Sequence, residues 1–186
     1  KTIRPAIQDN GLIGDLAVHR LDLVIADRPI PGHFSVRAYN HLLGQSPMTA
    51  LCTQALAATF DQPFPACLHN APMLLPGEDF AIHQRLLRWL EQAEVHPHIV
   101  GEFDDSAMMN AFGQSGAGVF FVPTVIAAQV SQQYQVVALG QIDGVVEQVY
   151  AITTERRMSH PATVAISTLA RDKLFALAAD ALKVPA

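Results

Sequence analysis

The chain has 186 residues, half of them hydrophobic and 16% charged, with a formal charge of −5. That length supports a full core in one domain or two small lobes, and the composition excludes a disordered chain or a coiled coil. The basic residues are scattered and build no positive stripe, which argues against direct contact with a nucleic-acid backbone.

The first pattern, residues 2–8 (TIRPAIQ), suggests a strand with Pro5 at an edge or bulge. Gly11 to Arg20 follows as a short helix burying Leu12, Ile13 and Leu16. Leu21 to Pro29 (LDLVIADRP) is a nearly continuous apolar run and reads as the central strand. This strand–helix–strand order implies parallel pairing with a right-handed crossover. Residues 34–43 and Met48 to Thr53 read as two further strands parted by Gly44 to Pro47. Gln54 to Asn70 is a connecting segment with a helical piece at Ala66 to His69, followed by a brief strand at Met73 to Leu75.

Asp79 is expected to cap a helix reaching about Ala93, with Ile82, Leu86, Trp89, Leu90 and Ala93 on one face. His98 to Phe103 reads as a strand, and Asp104 or Asp105 as the cap of a helix Ser106 to Phe112 that Gly113 ends. Gly118 to Val122 is a buried strand, and Pro123 opens the helix Thr124 to Gln132. Val136 to Leu139 and Val145 to Thr153 read as two strands, and a last helix runs from His160 or Pro161 to about Leu182. The alternation of strands and helices indicates α/β architecture. The proline-rich stretch 61–72 and the long strand 145–153 suggest two lobes, with a cleft as the default ligand site.

Chemistry-bearing motifs are sparse. The chain holds no GxSxG elbow, no GxGxxG after a strand, no P-loop and no HExxH, so no catalytic residue is assigned. The cluster Gly113, Gly116 and Gly118 follows a helix and precedes a strand, the reverse of a phosphate cradle. His96 and His98 lack further ligands at metal spacing, and Cys67 with His69 is too weak a pattern, so no metal site and no cofactor are assigned. Carboxylates cluster at Asp27, at Glu78 with Asp79, and at Glu102, Asp104 and Asp105. Helix capping explains Asp79 and one of Asp104 or Asp105, and Asp27 with Arg28 suits a turn that solvates a strand end. Yet each set falls where a sheet opens toward ligand. Cys52 and Cys67 make no disulfide framework and fit a reduced, cytoplasmic setting. No apolar run approaches the roughly 18 residues of a membrane span, and no signal peptide is evident. The abrupt start at Lys1 inside a strand pattern reads as a fragment of a longer protein.

Three blocks carry a family resemblance: LDLVIADRP; the segment from Leu74 to Pro123; and YAITTERRMSHPATVAI from Tyr150. Together they resemble the effector-binding domain of LysR-type transcriptional regulators. FPACL at 64–68, GEFDDSAMMNAFG at 101–113 and ERRMSHPATV at 155–164 are similar to the branch that activates a sodium–proton antiporter gene. The resemblance implies a type 2 periplasmic-binding-protein-like α/β fold, two Rossmann-like lobes joined by two crossover strands. Lobe I would hold about 1–50 plus 150–186 and lobe II about 51–149. The crossovers would lie near Met48–Cys52 and Val149–Thr153, with Val24 and Phe120 in separate sheets. Asp27 and Arg28 would line the cleft from lobe I, and Pro76, Gly77, Glu78, Ser106, Phe120, Phe121 and Pro123 from lobe II.

The implied partners are a small-molecule or ion effector and a second copy of the chain, as homodimer or tetramer. The helix Thr124–Tyr134, with Val125, Ile126 and Val130, is the candidate apolar interface. DNA would be contacted only through a winged helix-turn-helix that this sequence does not contain, and the domain's own first strand and helix are also missing from it. The competing reading is a free-standing solute-binding protein of the same fold. An enzyme on this fold has no nucleophile–base pair to support it.

Overall fold

The computed structural model describes residues 4–6, 10–31, 37–156, 161–170 and 175. They fall into two units, one built from 1–45 with 148–186 and the other from 46–147.

In the first unit, β1 (Arg4–Ala6), α1 (Asn10–Ala17) and β2 (Val24–Ala26) follow in order, with β1 parallel to β2 as the strand–helix–strand order predicts. β2 also pairs antiparallel with the end of β7 (Val137–Thr153), in the register Val24↔Ile152. Successive strand residues face opposite sides of a sheet, and both sides are buried here. Val24 and Ala26 pack with Leu12 and Leu16 of α1, while Ile25 faces Leu43, Ala151 and Ile166 of α6 (Pro161–Leu169). Ile13, expected inside, is half-buried. The central strand is shorter than its apolar run because Leu21 and Leu23 are buried in loop conformation.

The second unit begins within β3 (Tyr39–Cys52) and continues through α2 (Gln54–Ala57), a 3-10 turn at Ala66–Leu68, β4 (Pro72–Pro76) and α3 (His83–Gln92). It is completed by β5 (His98–Phe103), α4 (Ser106–Gln114), β6 (Phe120–Pro123) and α5 (Thr124–Tyr134). The same alternation splits its core. Met73, Leu75, Val119 and Phe121 pack against Leu86 and Leu90 of α3. Leu74, Phe120 and Val122 pack against Met109 of α4 and Val130 of α5. Each such aliphatic or aromatic side chain taken from water contributes about 1.5–3 kcal/mol.

Several boundaries differ from the pattern-based expectations. β3 is one strand through Gly44 to Pro47, not two. A Cβ on Gly44 would enter the Phe175 ring, so that glycine serves a close approach rather than a turn. Pro47 precedes Met48, the first residue paired with β6, so its missing N–H costs no bond in that ladder. β7 likewise runs unbroken, with Gly140 giving room to the Phe64 ring and Gly144 taking a left-handed φ of 78°. Because β3 and β7 belong to both units, hydrogen bonding runs continuously in the order β1-β2-β7-β3-β6. Val24 and Phe120 therefore share one sheet, contrary to the expected separation.

Asp79 does not cap α3. That helix starts four residues later, and its N-cap Ile82 has helical backbone and no side-chain cap bond. Gly113 does not end α4; it is a buried interior residue whose missing side chain admits Phe120. Pro123 is the N-cap of α5 rather than its first helical residue. Val130 belongs to the core, which removes it from the expected apolar interface. Residues 34–36 of the expected strand and the end of the last helix lie outside the described residues. Among the described residues, no helix is long and apolar enough to cross a membrane.

Candidate functional site

The second unit gathers three strand ends at one place. β4 and β5 are parallel, with Pro76 opposite Phe103, so their carboxyl ends lie side by side. Val119, leading into β6, bridges Met73 in parallel, which brings Pro123 to the same edge. The edge formed by the carboxyl ends of parallel strands is where open α/β sheets hold ligands. Here it opens into a pocket of about 210 Å³.

Its walls follow from these elements. Pro76 and Phe103 contribute from β4 and β5, and Phe121, Val122 and Pro123 from β6. Met48 enters from β3, Phe80 and Ile82 from the turn before α3, and Ile126 from α5. Helix α4 supplies Ser106, Met109 and Asn110, because residues three and four apart share a helix face. Among the described residues, Glu147 of β7 is the only ionisable one in the lining. The rim is braced: His83, buried in α3, donates from Nδ1 to the Pro76 carbonyl at 2.7 Å. Ser46, also buried, accepts from Val125 N at 3.1 Å and donates to the Pro47 carbonyl at 2.9 Å. Thr49 and Thr124 share a hydroxyl hydrogen bond of 2.8 Å.

Two polar features bear on ligand chemistry. Asp105 accepts from Met108 N at 2.8 Å and so caps α4 with a carboxylate, offsetting the positive end of the helix dipole. Asn110 is 9% exposed, and its Oδ1 is buried with no hydrogen-bond partner among the described residues. An unsatisfied buried acceptor costs about 1–3 kcal/mol.

Of the residues expected to line a ligand site, Pro76, Ser106, Phe121 and Pro123 meet at this pocket. Phe120 does not: at the start of β6 it is fully buried, with its ring in the space beside Gly113. Gly77 is buried, donates to the Phe103 carbonyl at 2.8 Å and leaves room for the Asp104 carboxylate, outside the lining. Glu78 is exposed on the following turn.

Asp27 and Arg28 belong to the first unit, at the carboxyl end of β2. Arg28 grips its neighbour through two bonds, Nε to Oδ1 at 2.9 Å and Nη2 to Oδ2 at 3.1 Å. The loop after them is held by Asn40, which accepts from Ile30 N at 2.9 Å and donates to the Ile30 carbonyl at 3.1 Å. Pairing neutralises the Asp27 carboxylate, yet half-exposed pairs of this kind add only about 0–1 kcal/mol of stability.

Sequence reasoning missed Asn110 and Glu147. The first was recoverable from its i+4 spacing to Ser106; the second lay in a strand with no motif around it. Among the described residues no cluster of three or more metal-ligating side chains occurs. His96 and His98 are exposed, and His96 N donates to His69 Nδ1 at 3.4 Å. Both thiols are free and buried in the second unit's core. Burial pushes Cys52 up to about 11, with nearby Cys67 adding to the rise, and burial also raises Cys67.

Comparison with known proteins gives this geometry a family. The transcriptional activator protein NhaR of Escherichia coli (strain K12) is 35% identical over 169 residues, which cover 88% of this chain and 54% of that protein. The chain thus spans about half the length of the curated relatives it matches. The fold is similar to the regulatory domain of HypT from Salmonella typhimurium, with TM-score 0.65 and 18% identity over 89% of this chain and 80% of that one. It is also similar to Vibrio fischeri DarR, solved in complex with DNA, with TM-score 0.66 and 14% identity over 90% of this chain and 56% of that one. These likenesses are to regulators with the type 2 periplasmic-binding-protein-like fold. The LysR substrate binding domain family matches residues 6–174, nearly the whole chain, and the chain belongs to that family.

Proposed function

We propose that the chain is the effector-sensing, non-catalytic domain of a cytoplasmic LysR-type transcriptional activator, and that the pocket at the strand ends of the second unit is its effector site. The observation that carries this reading is the meeting of Pro76, Ser106, Phe121 and Pro123 around one cavity at the carboxyl edge of parallel strands. The likeness to NhaR supports an activator, and the antiporter-branch motifs support a gene for sodium–proton exchange as its target. DNA contact belongs to a separate winged helix, and homodimers or tetramers are the working assembly.

An organic effector is favoured over a bare sodium ion. Sodium wants several oxygen ligands, as hard cations do, whereas these pocket walls are mostly apolar and Asp27 is already held by Arg28. Asp27, Arg28, Gly77, Glu78 and Phe120 remain candidates only for indirect roles in this reading. The test replaces Ser106, exposed at the start of α4, with tryptophan in the intact regulator to fill the cavity. Ser106→Trp should keep its melting temperature and promoter affinity but lose effector-dependent activation of a reporter. Full activation by Ser106→Trp would refute the site. Sodium-specific quenching of Trp89 fluorescence, absent with potassium and abolished by Asp27→Asn or Glu78→Gln, would restore the ion.

A further inference from the structure

A surface helix ordinarily turns charged or polar side chains to water, and the outer face of α4 does not. None of its residues is charged, and Ala107, Met108, Ala111 and Phe112 are all exposed, the methionine at 57% and the phenylalanine at 49%. Spacings of three and four place them on one stripe. The stripe continues onto β5, where the Phe103 ring lies 5.2 Å from the Phe112 ring between centroids. Met109, in the same helix, is buried instead. A contiguous apolar surface rich in methionine and aromatic rings marks a protein contact. We propose that this face docks another protein: a basic surface that presents an apolar side chain ringed by lysine or arginine.

Charge selects the occupant. Asp105 precedes Met108 by three positions on the same stripe, and Glu102 and Asp104 are exposed in the approach to the helix. No lysine or arginine occurs between Arg88 and Arg156, and across residues 46–147 two arginines stand against ten carboxylates. An apolar contact with an acidic margin is complementary to one with a basic margin, which steers encounter and fixes register. The same charge repels nucleic acid and anionic lipid. A second copy using this face is disfavoured in either orientation. Parallel pairing of two α4 helices sets Asp105 against Asp105; antiparallel pairing sets it against the carbonyl end of the other copy's helix, negative on negative both times.

The neighbouring strand edge is blunted against strand addition. β5 pairs only with β4 among the described residues, and Val100 is an extra residue between Ile99 and Gly101, whose partners Met73 and Leu74 are consecutive. A bulge of this kind protects an edge from further strands. The helix face is left as the docking element.

The experiment titrates the intact regulator into two labelled amphipathic peptides of about 18 residues, followed by fluorescence anisotropy. Both share a leucine face, and the opposite face carries lysine in one and glutamate in the other. The lysine peptide should bind, and the glutamate peptide at least about tenfold more weakly. Met108→Ser and Phe112→Ser should each weaken the lysine peptide by about tenfold; undiminished binding in both overturns the face. Asp105→Asn keeps a capping oxygen while removing the charge, so its melting temperature should hold while binding weakens severalfold and loses salt dependence. Glu91→Gln removes a carboxylate from α3, which packs on the other face of the sheet, and should change nothing. Equal loss in Glu91→Gln and Asp105→Asn would mean attraction by net charge alone, and the face would fall. In a reporter strain Met108→Ser should keep promoter affinity and sedimentation mass but activate severalfold less. A changed sedimentation mass would assign the face to a second copy, and a loss of promoter affinity to the regulator's own DNA-binding part; either result overturns the basic partner. Full activation by Met108→Ser overturns it as well.

Discussion

At Gly113 two effects of similar size oppose each other. Glycine inside a helix costs about 1 kcal/mol relative to alanine, so alanine should help. A Cβ there would enter the ring of Phe120, a fully buried side chain, and forcing atoms into a packed core costs about 1–3 kcal/mol. Gly113→Ala should therefore destabilise the protein, whereas Gly14→Ala in α1, with nothing within 4 Å of the added carbon, should stabilise it by up to about 1 kcal/mol. Urea denaturation of the two variants checks the opposite signs. Cys52 makes a pH-dependent contribution. Its thiol is raised from an ordinary 9.0 to about 11 by burial, so between those values the folded state holds a proton that the unfolded chain releases. Stability from this group is fully present below pH 9 and is lost as pH rises through 11. The urea midpoint should fall more between pH 8 and about pH 10.5 in the parent than in Cys52→Ala.

At the scale of elements, α4 depends on its cap. Asp105 has extended backbone, φ −133° and ψ 122°, which aims its carboxylate at Met108 N. Asp105→Ala should cost about 1 kcal/mol and loosen the helix that carries Ser106 and Asn110 to the pocket. Faster amide exchange at Met108 than at Val130 in that variant is the specific readout. The same cap chemistry was expected at Asp79 and did not occur there, because a residue type marks a possible cap while backbone geometry decides it. This difference shows how far the sequence was legible. β5 and the α3 face of Leu86 and Leu90 were readable from periodicity, and the family was readable from its long motif blocks. The unbroken β3 and β7 were not. Gly44 and Gly140 look like turn glycines in one dimension, and only the Phe175 and Phe64 rings reveal that they are spaces. For the site, the prolines and phenylalanine at strand ends came from the family resemblance. Phe120 was misplaced because its ring fills the space that Gly113 leaves in the core, a packing only the fold reveals, whereas Asn110 was within reach of its i+4 spacing to Ser106.

On the scale of the whole molecule, the second unit is one continuous stretch of chain, residues 46–147, while the first is assembled from 1–45 and 148–186. His41 meets Thr153 at 3.0 Å across 112 positions of sequence. Closing a flexible loop of that length costs about 4 kcal/mol of chain entropy, from (3/2)RT ln n. When the intervening unit is already folded, its ends are held and most of that entropy has been surrendered beforehand. Contacts distant in sequence also form slowly, and during synthesis the earlier stretch leaves the ribosome first. Assembly therefore has a built-in order, with the ligand-pocket unit forming on its own schedule and the sheet of β1 and β2 waiting for the return of β7. Pulse-labelled hydrogen exchange during refolding should find Val119 and Phe121 protected before Val24 and Ile152, and simultaneous protection would remove the ordering. A chain cut after residue 147 and free of the ribosome would then hold a formed pocket while its other unit still lacks the strand that closes it.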